Sequence, residues 1–245
     1  MTRGLTDGQI ERSRPVPAET SLASSFQTLV RERRSCRSFQ PQPVDELTLR
    51  ETLADALWAP SNCNTQPWEV HVVSGPARDR LIAAVVEAEA ADVLSPDFSF
   101  DSAAYTGAFG VRRHAQGASY HEALGIDRQD YQKRRSVSAQ NLYLHGAPHV
   151  AFLFMPEVGD SVRVASDVGM FAQTFLLALT ARGLAGVPQT SLGMFADTIR
   201  RELEVSDERK LLFGISFGWP DKDAVAYRYS STREPVESFV TLHEQ

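Results

Sequence analysis

A chain of 245 residues with 42% apolar and 23% charged residues suits one substantial soluble domain. Its net charge of −6 and pI near 5.5 argue against general nucleic-acid binding, which needs a basic surface to displace counterions from phosphates. The polar opening has no signal-peptide core, and the longest apolar stretch, Phe171 to Ala181, is broken by Gln173 and Thr180, so no membrane partner is expected. Cys36 and Cys63 lack metal-ligand spacing and are too few for a disulfide framework, which makes a reducing cytoplasm the expected location.

Residues 1–20 carry little apolar material and read as a mobile tail. Leu22, Phe26, Leu29 and Val30 recur at helical spacing, predicting a helix from Ser21 to about Arg34. After a proline-bracketed turn, Asp45 caps a second helix with the stripe Leu49, Leu53 and Leu57, which ends at Pro60. Pro67 to Val73 reads as a strand, and Ser74-Gly75-Pro76 turns it into a helix over Ala77 to about Ala91. The weakly periodic stretch 92–125 reads as a long excursion on the substrate side. A helix over about Arg128 to Leu144, a strand over His149 to Met155 and a buried helix over Val164 to Arg182, closed by Gly183, follow. Ala185 to Gln189 then leads to a helix at Ala196 to Leu203 and a strand at Lys210 to Phe217. These elements predict one layered α/β or α+β domain over 21–218, with 219–245 a polar arm suited to embracing a partner.

Two constellations carry chemistry. Arg33-Arg34-Ser35-Cys36-Arg37 stands where a helix ends. Cations there can simply oppose the helix dipole, or the guanidinium forks and the serine hydroxyl can hold a phosphate. The segment Ala59-Pro60-Ser61-Asn62-Cys63-Asn64-Thr65-Gln66-Pro67-Trp68 has the Ser, Asn and Pro content of an ordinary turn. It also sets the amides of Asn64 and Gln66 beside the Trp68 ring, which suits the edge of a flat heteroaromatic group.

Together, RRSCRSFQPQPV and APSNCNTQPWEVHVV resemble the opening of the FMN-dependent nitroreductase superfamily. GLAGVPQTSLGMFADTIRREL resembles its second flavin-contacting region, and YRYSSTREPVESF its C-terminal phosphate-contacting element. Tyr120 to Asp130, with Asn141 and Gly146-Ala147-Pro148, is most similar to its nitrobenzoate-reductase-like group. The resemblance implies an α+β, three-layer sandwich around a mixed, mostly antiparallel sheet flanked by helices, in an intertwined homodimer. It implies that Arg33, Arg34, Ser35, Cys36, Arg37 and Arg233 contact FMN at its phosphate, ribityl chain and pyrimidine edge. Pro60, Ser61, Asn62, Asn64 and Gln66 would line the ring, partly from the neighbouring subunit, and Pro188, Gln189 and Thr190 would pass close to it, with backbone donors near N5 and side chains near its edge. Many relatives carry a lysine two residues before the last arginine, where this chain has Ser231, and some carry glutamate at Thr190.

The implied activity is ping-pong transfer of reducing equivalents from NADH or NADPH to a nitroaromatic, quinone or similar acceptor. A dehalogenase or oxidase on the same scaffold, or a flavin-binding protein without turnover, are the alternatives. No G-x-G-x-x-G, Walker loop or G-x-S-x-G elbow is present, and no acid-base residue stands out. His145 and His149 are four apart, but Pro148 interrupts any shared helix, so no metal site is expected. Arg112, Arg113, Arg134 and Arg135 read either as solvated surface or as contacts for an anionic substrate or the donor's phosphates.

Overall fold

The computed structural model describes residues 21–243, so the expected tail at 1–20 lies outside the described residues. Its elements in chain order are α1 (Leu22–Glu32), α2 (Glu46–Ala56), β1 (Glu69–Ser74), α3 (Gly75–Ala90), α4 (Gly107–Ala123), α5 (Tyr131–Ala139), β2 (His149–Pro156), α6 (Val162–Ala181), β3 (Ala185–Gln189), α7 (Ala196–Leu203), β4 (Arg209–Gly218) and α8 (Val225–Arg228).

The four strands pair in the order β1-β2-β4-β3, every neighbour antiparallel. Parallel character is confined to isolated bridges, of which Ser35 with Gly186 extends the sheet beyond β3. The central strand β2 is buried on both faces, which is why HVAFLFM reads as a continuous apolar run. Ala151, Leu153 and Met155 face α6 and α2, while Val150, Phe152 and Phe154 join the core that includes α3 and α7. These are the three layers of the expected sandwich. Burial of each such side chain contributes about 1.5–3 kcal/mol.

α6 lies close against the β3 edge because Gly186 has no side chain. A Cβ there would sit 2.9 Å from Leu176 and 3.1 Å from Leu179. α6 is also long and apolar enough to span a bilayer, but nine of its residues are buried within the domain.

Several boundaries differ from the expected ones. Ser21 caps α1 rather than belonging to it, accepting from Ser24 N. The excursion 92–125 contains a 17-residue helix, α4, whose periodicity is weak because only Gly110 and Tyr120 are buried. The helix expected to Leu144 stops at Ala139, and Leu144, His145 and Gly146 then all take positive φ, a left-handed turn that no helix tolerates. Within the arm, Trp219 packs against the α6 core and Tyr227 against the opposite one, so the arm begins as part of the domain.

Candidate functional site

α1 ends at Arg33, and the chain continues alongside β3, with Cys36 N donating to Gly186 O at 3.2 Å. An extended backbone sends alternate side chains to opposite sides. Cys36 therefore enters the core with no exposure while its neighbours Ser35 and Arg37 stay accessible on the other side; Arg34, on the side of Cys36, is half-buried. The Cys36 side chain is thus withdrawn from the surface, and only its backbone is left for the contact that the resemblance implies. Burial pushes its thiol up to about 11, and Sγ donates to Ser38 O.

The arginines meet a second stretch of chain. Arg34 donates to Tyr227 O at 3.3 Å and lies over the Tyr227 ring at 4.9 Å. Arg37 lies over Tyr120 of α4 at 4.8 Å, and Tyr120 packs edge-on against Tyr229 at 5.2 Å. The Tyr229 hydroxyl in turn bonds Ser119 Oγ at 2.9 Å. Aromatic faces thus hold two guanidinium groups in place without neutralising them.

The result is a cavity of about 460 Å³ lined by Arg31, Arg33, Arg34, Ser35 and Arg37 on one side and Ser230, Ser231 and Arg233 on the other. Among the described residues none of these five arginines forms an ion pair with a carboxylate. Burial first, then the Arg233 charge, lowers the pKa of Arg33. Arg233 donates to Ser231 Oγ and Thr232 O, both at 2.8 Å, so Ser231 turns it within its own loop. Sequence reasoning missed Arg31, Gln116 and Tyr229 here. Tyr229 lay within the quoted YRYSSTREPVESF segment, whereas Gln116 sits on a helix whose pattern was too weak to orient.

Pro188 and Thr190, at the end of β3, are exposed, but the Gln189 side chain between them is buried. Its Nε2 donates to Asn141 O and Oδ1 at 3.0 and 3.1 Å, and its Oε1 accepts from Ser216. That corrects the expectation of a Gln189 side chain at the ring edge: only its backbone is free for that role. His145 completes the network through Asn141 Oδ1 at 3.2 Å. Burial, then the Arg37 charge, pulls its imidazole down to about 4. One residue beyond Thr190, the Ser191 hydroxyl is buried with no hydrogen-bond partner, so a donor stands uncommitted beside this segment.

The Pro60–Gln66 turn is elsewhere. It leads into β1, at the edge of the sheet opposite the Ser35 bridge, four strand spacings or roughly 19 Å away. Asn62 N is held by both carboxylate oxygens of the buried Asp167 at 3.1 Å, and Gln66 N by Ser61 Oγ at 2.9 Å. These bonds sustain positive φ at Cys63, Asn64 and Gln66, conformations that cost about 1–3 kcal/mol each. Asn62, Asn64, Gln66 and Pro60 are exposed, whereas Trp68 is half-buried with one face stacked on Phe171 at 5.3 Å. The structure thus brings the arginine cluster and Arg233 together, sets Pro188–Thr190 on the adjoining strand, and leaves the turn apart.

Residues 30–219 match the model of the nitroreductase family. The chain is 44% identical over 210 residues to nitroreductase NfnB of Mycolicibacterium smegmatis, covering 86% of this chain and 89% of that protein. It is 32% identical over 223 residues to a 4-nitrobenzoate reductase of Pseudomonas putida, covering 89% and 95%. The crystal structure of the FMN-dependent nitroreductase NfnB from Mycobacterium smegmatis in complex with NADPH superposes with a TM-score of 0.86 at 41% identity, covering 91% of this chain and all of that one. With its fold, its arginine-lined cavity and these relatives in agreement, the chain belongs to the nitroreductase family.

Proposed function

We propose that the chain is an FMN-dependent oxidoreductase that uses NAD(P)H to reduce nitroaromatic or similar electron-poor acceptors, donor and acceptor binding in turn. The observation that carries the reading is the set of five unpaired arginines around one cavity. Like charges gathered without counter-ions repel one another, and a phosphate dianion is the complement that relieves them.

The residues present fit the phosphate end of FMN. Arg33, Arg37 and Arg233 supply forked donors, Ser35 and Ser231 neutral hydroxyls, and Arg34 a guanidinium already fixed on Tyr227. Pro188 and Thr190 give an exposed backbone edge on the adjoining strand, made rigid by the buried Gln189–Asn141–Ser216 bonds. When bound, FMN supplies the redox chemistry, and the protein contributes binding, orientation and electrostatics. Fixed backbone N–H donors beside the ring, which Thr190 can supply and Pro188 cannot, favour a state in which negative charge builds up there.

The reading extends to a homodimer. The Asn62–Gln66 turn is too far from the arginines of its own chain to border the same ring, so a second subunit's turn would supply it. Two uncovered apolar surfaces support the same conclusion. α1 has no buried residue and exposes Leu22, Phe26 and Val30, and the arm exposes Val236, Phe239, Val240 and Leu242. Apolar faces of this kind mark association surfaces. The two unpaired cysteines accord with a cytoplasmic setting.

The test is direct. Purified protein should show a flavin spectrum that NADH or NADPH bleaches anaerobically and a nitroaromatic restores. The double variant Arg33→Ala, Arg37→Ala should lose about 3–6 kcal/mol of FMN affinity, two charge-assisted contacts' worth. Retention of stoichiometric flavin at normal affinity by that variant would sink the phosphate assignment.

A further inference from the structure

We infer that a second anion site lies on the other side of α4 and takes the 2′-phosphate-bearing adenosine end of NADPH, so that this enzyme prefers NADPH to NADH. The inference rests on the reading of the chain as an NAD(P)H oxidoreductase and assigns the part of the donor that does no chemistry.

A groove of about 910 Å³ runs between α4, the turn after it and α5. Arg113, Arg128 and Arg134 line it, and none has a carboxylate partner among the described residues. Arg113 meets the His114 ring at 3.3 Å, and Arg134 donates to the backbone carbonyl of Arg128 at 3.1 Å, which ties the Arg134 side chain to the turn before α5. In a chain of net charge −6, three such arginines facing one groove are a local reversal of sign. Arg112 differs: it points away and stacks between Phe109 and Phe239 at 5.1 and 5.3 Å. Of the four arginines singled out in the sequence, then, only Arg113 and Arg134 face the groove.

Two further features point to a ligand. Gly117 lies in the middle of α4, where glycine weakens a helix relative to alanine. A Cβ there would meet nothing within 4 Å, so no contact inside the chain requires its absence. A bare helix surface over open space instead allows close approach of a flat group. His121, also lining the groove, has a buried Nδ1 without a hydrogen-bond partner. The carboxylates of Glu122 and Asp127 sit on the same rim. They disfavour a bare anion but accept from ribose hydroxyls and the adenine amino group, so the mixed lining matches a nucleotide better than a simple carboxylate.

Position completes the case. Gln116, the neighbour of Gly117, reaches the arginine cavity on the opposite side. One helix, about 10–12 Å across, therefore separates the two sites. An extended dinucleotide spans that width, with its nicotinamide towards the cofactor and its adenosine in the groove.

Calorimetric titration of adenosine 2′,5′-bisphosphate into the FMN-loaded protein reads this site without turnover. One bisphosphate should bind per chain, and adenosine 5′-monophosphate at least about tenfold more weakly, as the loss of one charge-assisted contact dictates. Arg113→Ala with Arg134→Ala should abolish the difference between the two probes. Gly117→Leu, a better helix former with room for its side chain, should block both while leaving the flavin spectrum intact. In turnover, the ratio of kcat/KM for NADPH to that for NADH should fall about tenfold in the arginine variant. Equal binding of the two probes to the unaltered protein, or an unchanged donor ratio in the variant, overturns the proposal. So does a raised KM for 4-nitrobenzoate with the donor ratio intact, which would assign the groove to the acceptor. A flavin that neither donor bleaches would reject the oxidoreductase reading, while the bisphosphate titration still decides the groove.

Discussion

Arginine plays opposite parts in two regions of this molecule. Arg200 of α7 is buried between Asp97, at 2.5 Å from Nη1, and Asp197, and it also donates to Arg209 O at 3.0 Å. Burial works against its charge, yet the bonds it donates to Asp97 and Asp197 prevail and its pKa is raised. In the arginine-lined cavity five arginines share about 460 Å³ with no carboxylate, and burial together with Arg233 lowers that of Arg33. The first arrangement is closed: every charge is answered by the chain itself. The second is open, with donors fixed by aromatic faces and hydroxyls and nothing to neutralise them. Pairing, rather than arginine content, separates a structural cluster from a ligand site.

Opening the closed arrangement should have the largest effect. Asp97→Ala leaves Arg200 buried with only the more exposed Asp197, and deprives Leu211 N of its acceptor at 2.7 Å. Loss of one member of a buried pair costs about 3–5 kcal/mol. The urea midpoint should fall accordingly, with FMN affinity of the still-folded fraction unchanged. Equal losses in both quantities would show that the two regions are not independent.

The open region can be read through His145, whose folded pKa of about 4 lies below the ordinary 6.5 because burial, and then Arg37, oppose its charge. The sign follows from which state takes the proton. Above pH 6.5 His145 is neutral in both states and its contribution to stability is complete. As pH falls from 6.5 towards about 4, the unfolded chain binds a proton that the native state refuses, and up to about 3 kcal/mol is lost. His145→Gln should flatten the fall of the urea midpoint between pH 6.5 and 4.5, whatever its effect at pH 7. A parallel pair of pH profiles would show that His145 does not titrate this way.

The fold was largely legible because its main elements carry strong patterns. The unbroken apolar run of β2, the Asp45 cap and Gly183 in its left-handed conformation stand where the residues placed them. α4 was not legible, since a helix that buries only Gly110 and Tyr120 leaves no stripe to read. The cluster Arg33–Arg37 was legible as chemistry, but not Cys36 as core: that needs the strand-like alternation set by the bridge from Ser35 to Gly186. Gln189 misled for a related reason. A glutamine beside two exposed residues reads as a contact, and only the buried Asn141 and Ser216 show that its amide is already committed. Both errors are tertiary: local sequence carries residue type but not the side of the chain from which a partner comes.

The smallest effect sharpens the contrast from the open side. Ser231 stands where the resemblance leads one to expect a lysine, and it now accepts from Arg233 at 2.8 Å. Ser231→Lys adds a sixth charge to the cavity and removes the hydroxyl that turns Arg233 within its loop. Because the position is exposed, the new charge should tighten FMN by no more than about 1 kcal/mol. It should also slightly destabilise the FMN-free protein, where no phosphate offsets the added repulsion. Raising the salt should erase most of the gain, since exposed charges are screened within about 10 Å at 0.1 M. Fluorescence titration of FMN at low and high salt measures both effects. Tightening that survives high salt would mean that the lysine is enclosed with the phosphate, and weaker binding would mean that the Ser231 hydroxyl, through Arg233, contributes more than a further cation can.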